Sequence, residues 1–176
     1  MNRTGIARAV MAIFAAAVIA AGAEGAFALE FSFLVGDVTI VRDGKPSGAG
    51  LGGKLVDGDT VITGAGCLAV LSYGDGSEIR VMEKSRVRIG SVTVRDSGSV
   101  SVISGAINAR FQKLARGSER KVVTPTTVCS VRGTDFLVGV SDGADSRVEM
   151  KEGALEVRNP YGSKKLGPST KERIGL

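Results

Sequence analysis

Residues 121–140 read KVVTPTTVCSVRGTDFLVGV. Most are the β-branched and aromatic residues of buried strands: Val122, Val123, Val128, Val131, Phe136, Leu137, Val138 and Val140. Two residues interrupt the run. Pro125 cannot donate a ladder hydrogen bond. Arg132, directly before Gly133, is a cation among valines that must find a partner or reach water. How the stretch accommodates both decides the fold.

Outward from it, the same alternation runs along the chain. In GDVTIVRDGK (36–45) Val38 and Ile40 share a face before an Asp43-Gly44 turn. LGGKLVDGDTVITG (51–64) offers Leu55, a turn at 57–59 and Val61. CLAVLSYGDGSEIRVM (67–82) places Leu68, Val70 and Tyr73 before a turn at 74–77, then Ile79 and Val81. The stretch 86–111 supplies Val87 and Ile89, Val92 and Val94, Val100 and Val102, then Ile107. Period-2 alternation bounded by Asp-Gly and Ser-Gly pairs predicts short strands and hairpins, and 25 glycines are enough for a turn every few residues. One segment, INARFQKLAR (107–116), also spaces Ile107, Phe111 and Leu114 as a helix would; it is read here as a strand followed by a polar loop. Gly36, Gly98 and Gly153 each open a similar alternating unit, but with no fixed period. The expectation is an all-β fold of stacked short strands. It leaves open a flattened β-solenoid or a two-layer β-sandwich.

The N-terminus has a different character. MNRTGIAR carries Arg3 and Arg8 without an acid, an apolar run of about 15 residues follows, and Ala26-Phe27-Ala28 closes it. That is the layout of a secretory signal peptide at 1–28, cleaved after Ala28. The apolar run falls short of the ~20 residues that span a bilayer. The mature domain, 29–176, is then exported, periplasmic or extracellular, with no stable membrane span. Its charge is +4, against +5 for the whole chain. The cations are scattered apart from Arg158, Lys164, Lys165, Lys171 and Arg173 near the end. Only one aromatic residue, Tyr161, falls among them, too few for a base-stacking platform, so nucleic acid is not expected. Cys67 and Cys129 fit either one disulfide in an oxidising compartment or two separate buried thiols.

The chain contains no histidine, so neither a Ser-His-Asp triad nor a His-based metal site can be assembled. Asp57, Asp59 and Asp75 lie in Asp-Gly turns without the ligand ladder of a calcium loop. No phosphate-binding loop of the GxxxxGK[ST] kind occurs. The chain is read as a non-enzyme with no cofactor and no metal.

Thr124-Pro125, Ser130-Val131-Arg132-Gly133-Thr134 and Asp135-Phe136 together resemble the signature of the FecR-like domain of bacterial envelope proteins. Gly36-Asp-Val, the element from Leu55 to Gly64, the Asp75-Gly-Ser hairpin, Ser104-Gly105 and the Glu152-Gly153 strand fall in that family's order. The resemblance covers about residues 35–160. It implies an all-β envelope domain and, for the founding members, iron-siderophore signalling through further segments that do not appear in this sequence. The signature residues are then Thr124, Pro125, Val131, Arg132, Gly133 and Thr134.

In physical terms Pro125 marks a bend or strand start. Arg132 is expected inside the fold as a brace, its five donors tied to carbonyls or to Asp135, Asp75 or Glu152; the alternative is a ligand-contacting arginine. Gly133 permits close backbone passage, and the Thr134 hydroxyl is expected to satisfy a main-chain group. The expected function is a sensory or scaffold module that binds another envelope protein, at a site the sequence does not mark. The alternative is a binder of anionic cell-wall polymer through the basic C-terminal residues.

Overall fold

A computed structural model of the chain describes residues 29–92, 98–114, 119–141 and 145–174. The expected signal peptide, Val94 and part of the loop after Leu114 lie outside the described residues. Within them the regular structure is strand. The first half holds β1 (Leu29–Val35), β2 (Val38–Arg42), β3 (Lys45–Gly48), β4 (Lys54–Leu55), β5 (Thr60–Thr63), β6 (Leu68–Ser72), β7 (Glu78–Val81) and β8 (Arg86–Ser91). The second holds β9 (Ser99–Arg110), β10 (Arg120–Val123), β11 (Val128–Val131), β12 (Asp135–Val140), β13 (Ser146–Glu152), β14 (Leu155–Asn159), β15 (Gly162–Leu166) and β16 (Lys171–Ile174).

These strands form two sheets that share β9. Sheet A runs β4-β1-β6-β7-β9-β12-β13-β16, and sheet B runs β3-β2-β5-β8-β9-β10-β11-β14-β15. Every pairing among the described residues is antiparallel except β9 with β10. Successive strands or hairpins alternate between the sheets, so the chain winds as a solenoid would. Its layers, however, are those of a sandwich. Inward residues of both sheets meet in one apolar core, with Phe31, Leu71, Ile79, Ile107 and Phe136 from sheet A and Val61, Ile89, Val102, Val122 and Val131 from sheet B.

Local chemistry explains the path. Asp43 and Gly44 both take positive φ, 50° and 74°. That is the two-residue turn whose twist matches paired strands, and it joins Arg42 to Lys45 across β2 and β3. β9 is the long strand that ties the layers. Ser99–Ser104 pairs with β8 and Gly105–Arg110 with β7 and β12. The change of sheet falls at Gly105, φ +79°, where a Cβ would come within 2.6 Å of Lys84 O and Ser85 Cα. The Ser85 hydroxyl lies there, accepting the Ala106 N–H at 2.9 Å and donating to Glu83 O or Ala106 O. The ambiguous segment is therefore strand up to Arg110, and Phe111 follows it into the core.

The alternation places Val38, Ile40, Val61, Ile79, Val81, Val87, Ile89, Val100, Val102 and Ile107 inward as expected. β6 is a correction. Its core face is Ala69, Leu71 and then Tyr73, while Leu68 and Val70 are outside that cluster. Four consecutive apolar residues, Leu68–Leu71, satisfy either parity, and Tyr73 continues the odd-numbered face.

Candidate functional site

The signature forms two corners at opposite ends of β11. Thr124 N–H donates to Thr127 O at 2.8 Å, and the Thr127 N–H returns to Thr124 O at 3.4 Å. Pro125 and Thr126 are the two loop residues of this hairpin. Pro125 thus occupies the first turn position, where its fixed φ is suited and its missing N–H is not needed. The threonines fasten the turn to the other sheet. Thr124 Oγ1 and Thr126 Oγ1 each lie 2.6 Å from the fully buried Ser146 Oγ at the start of β13. Thr126 Oγ1 also donates to Ile174 O at 3.3 Å.

At the other end, Arg132-Gly133-Thr134 carries the chain from sheet B to sheet A. Crossings stack here. A Cβ on Gly133 would lie 2.9 Å from Lys113 Cα, and one on Gly153 would lie 2.7 Å from Gly133 O. The Phe111 N–H donates to Thr134 O at 2.9 Å. The Thr134 hydroxyl, expected to bind main chain, is buried without a hydrogen-bond partner among the described residues; its oxygen is enclosed at the corner while the backbone bonds are made by peptide groups.

Arg132 itself is exposed, which corrects the brace assignment. Cys129 and Val131 face the core, so the pleat sends Ser130 and Arg132 outward. The buried cation is Arg120, 2% exposed and two residues before the inward Val122. Its Nη2 donates to Asp75 Oδ2 at 2.7 Å. Its guanidinium carbon lies 4.1 Å from the Tyr73 ring centre and 5.1 Å from that of Phe111, in cation–π contact with two adjoining, tilted rings. Arg120 Nε and Nη1 and the Tyr73 hydroxyl have no hydrogen-bond partner among the described residues, so the rings hold the rest of the cation. Burial alone would raise the Asp75 carboxyl, but the Ser77 N–H and the Arg120 charge outweigh it and hold its pKa below the usual range. Burial pushes the Tyr73 hydroxyl up to about 12 against the pull of Arg120. Of the expected acceptors, Asp75 serves Arg120. Asp135 accepts from Arg110 at 3.3 Å and from Asn108 at 3.3 Å.

Cys67 and Cys129 are free thiols, not a disulfide. Cys129 is buried on the inner face of sheet B, its thiol pushed up to about 12 by burial. Cys67 lies in the turn before β6, its sulfur 2.6 Å from the position a Cβ on Gly36 would take. Cys67 thus leads into sheet A, whereas Cys129 lies within sheet B.

The basic C-terminal residues do not gather into one patch. Lys171 pairs with Glu149 at 3.0 Å, Arg173 with Asp145 at 2.6 Å and Lys164 with Glu172 at 2.9 Å. The last pair joins β15 of sheet B to β16 of sheet A across one open side of the sandwich. On the other open side Arg42 binds both Asp59 oxygens, at 2.8 and 2.7 Å, and Lys54 O of β4 at 3.0 Å. Burial would raise Asp59, yet the Arg42 hydrogen bond, the Val56 N–H and the Arg42 charge lower it overall.

Lys165 and Arg158 lie elsewhere. With Arg132, Ser130, Glu119 and Glu156 they line an open cleft of about 410 Å³ on the outer side of sheet B. Ser130, Glu156 and Lys165 form one cross-strand row there, and Arg158 Nε donates to Glu156 Oε1 at 3.0 Å. Among the described residues no group of three or more His, Cys, Asp or Glu side chains could hold a metal ion, and no helix is long and apolar enough to cross a membrane.

The FecR protein family profile matches residues 59–156, more than half of the chain, and the chain belongs to the FecR family. The match includes Asp59, Asp75, Arg120 and both signature corners. Two crystal structures of a "putative anti-sigma factor" from Parabacteroides distasonis ATCC 8503 share the fold, with a TM-score of 0.56 and 16% identity. They are matched over 66% of this chain and 59% of theirs, so this chain spans less than two thirds of that protein. No curated protein matches the chain.

Proposed function

We propose that this FecR-family chain is an exported, non-catalytic regulatory module of the bacterial envelope, and that it binds another envelope protein through the cleft on sheet B. The observation that carries the reading is the exposure of Arg132. The signature's cation stands at a cleft beside Arg158 and Lys165, with Glu119 and Glu156 among them. A mixed-sign surface of this kind gives specificity and orientation to a protein partner. Membership of the FecR family and likeness to an anti-sigma factor support a regulatory role. Export rests on the signal-peptide layout of residues 1–28.

The pairing of Lys164, Lys171 and Arg173 with acids does not favour the anionic polymer. The test is capture of the tagged chain from crosslinked envelopes, with wild type and Arg132→Ala compared and proteins and glycan assayed in the same eluate. One stoichiometric protein that survives added salt and is lost with Arg132→Ala is expected. Glycan without protein, released as salt rises, would overturn the proposal.

A further inference from the structure

The two sheets differ in how their outward cations are answered. On sheet A, Arg80 pairs with Glu78, Arg110 with Asp135, Lys171 with Glu149 and Arg173 with Asp145. The strands of sheet B contain a single acid, Glu156, and it holds Arg158. Arg86 and Arg88 of β8, Lys121 of β10 and Lys165 of β15 also point outward. Among the described residues none of these four is in an ion pair. Other acids stand at the rims: Asp43 and Asp57, in turns, line a cleft with Arg86 and Arg88, and Glu119 precedes β10.

Register arranges the cations as two walls. One cross-strand row runs Arg88, Ser101, Val123, Val128, Arg158. The next runs Ser99, Lys121, Ser130, Glu156, Lys165. Between the walls, on β9, β10 and β11, the outward side chains are small and half-buried, except for Lys121. The walls on β8 and β14 are four strand spacings apart, about 19 Å. Along β8, Arg86 and Arg88 are ~6.8 Å apart, close to the ~6 Å between residues i and i+4 of an α-helix.

We infer that this face receives an acidic α-helix of the partner, lying along β9 to β11 with carboxylates on both flanks and small residues beneath. The inference rests on the protein-partner reading above and gives that partner its chemistry. Peptide groups in the middle of a sheet are already paired with neighbouring strands, so the face offers side chains and cannot add a strand. An extended segment is too narrow to reach both walls. A helix ~10–12 Å across fills the floor and leaves the arginine arms to close on its flanks. Charge selects the sign, since unanswered cations attract and orient an acidic surface. The contacts are exposed, so the binding is weak and sensitive to salt.

The probe is a labelled alanine-rich helical peptide with glutamates at i, i+4 spacing on two flanks, titrated with the intact purified chain at low and at physiological salt. A peptide of the same composition, its glutamates spread around the helix, and inorganic polyphosphate are titrated beside it. The patterned peptide is expected to bind, and the spread one about tenfold more weakly. Arg86→Ser with Arg88→Ser, and Arg158→Ser with Lys165→Ser, each remove one wall at exposed positions, and each pair should weaken binding by about tenfold. Arg80→Ser, on sheet A, should change nothing. No binding of the patterned peptide, equal binding of the two peptides, or indifference to either wall would overturn the inference. So would polyphosphate binding more tightly than the peptide with the same dependence on both walls. Envelope capture that needs Arg132 but not Arg86 and Arg88 would remove this inference and leave the proposed function standing; peptide binding without a captured protein would do the opposite.

Discussion

Arg120 and Arg132 stand almost beside each other across one hairpin, since Arg120 is in register with Val131. One is buried against Tyr73 and Phe111 and bound to Asp75; the other is on the surface. The difference is parity along a pleated strand. Arg120 shares the face of Val122, and Arg132 is one residue beyond Val131. The family signature contains the outward arginine, whereas the arginine that braces the core lies outside it. Composition around a cation is thus a poor guide to its burial, and its phase relative to inward neighbours is a good one.

Disturbing the buried member should have the largest effect. Asp75→Ala leaves the Arg120 charge enclosed and unpaired. Breaking a buried pair costs about 3–5 kcal/mol; with the Asp75 side chain 26% exposed, about 2–4 kcal/mol is expected, read by denaturant unfolding. Gly105→Ala is expected to come close to it, at about 2–4 kcal/mol, combining strain at positive φ with overpacking against Ser85. If Gly105→Ala left stability unchanged, β9 would not cross between the sheets as described. Ser146→Ala removes the partner shared by Thr124 and Thr126, and should lower stability by about 1–2 kcal/mol in the same assay.

Acid sharpens the comparison without mutation. The Asp75 and Asp59 carboxyls have folded pKa values below their ordinary ones. Their contribution is present above the unfolded value near pH 4 and is lost as pH falls through the lowered folded values. Unfolding midpoints measured on descending pH should drop below about pH 4, and less steeply in Asp75→Asn and Asp59→Asn.

Much of this was legible in the sequence. Alternation around Val38, Val61, Ile79, Val87 and Val100 gave strands and inward faces, and Asp43-Gly44 marked its hairpin. Pro125 was readable as a bend from its missing N–H alone. What escaped has definite causes. β6 is apolar at four consecutive positions, Leu68–Leu71, so parity there depends on which neighbours it meets. The bulge in β1, a register shift between Phe31 and Phe33, leaves no pattern in Leu-Glu-Phe-Ser-Phe-Leu-Val. The cleft on sheet B draws Glu119 and Arg132 from the ends of β10 and β11 and Glu156 and Lys165 from β14 and β15, and only register brings them together. The C-terminal cations are close in sequence but are divided between two sheets, each with its own acid nearby. Arg120 carried a readable signal, since it lies two residues before the inward Val122.

The most direct test is to measure the unfolding free energies of Arg120→Ala and Arg132→Ala side by side in denaturant. The predicted result is a loss of about 2–4 kcal/mol for Arg120→Ala, from the space emptied against the two rings and the broken pair, and a change within about 0.5 kcal/mol for Arg132→Ala. A large loss at Arg132 with little at Arg120 would contradict the account and return the signature arginine to the core.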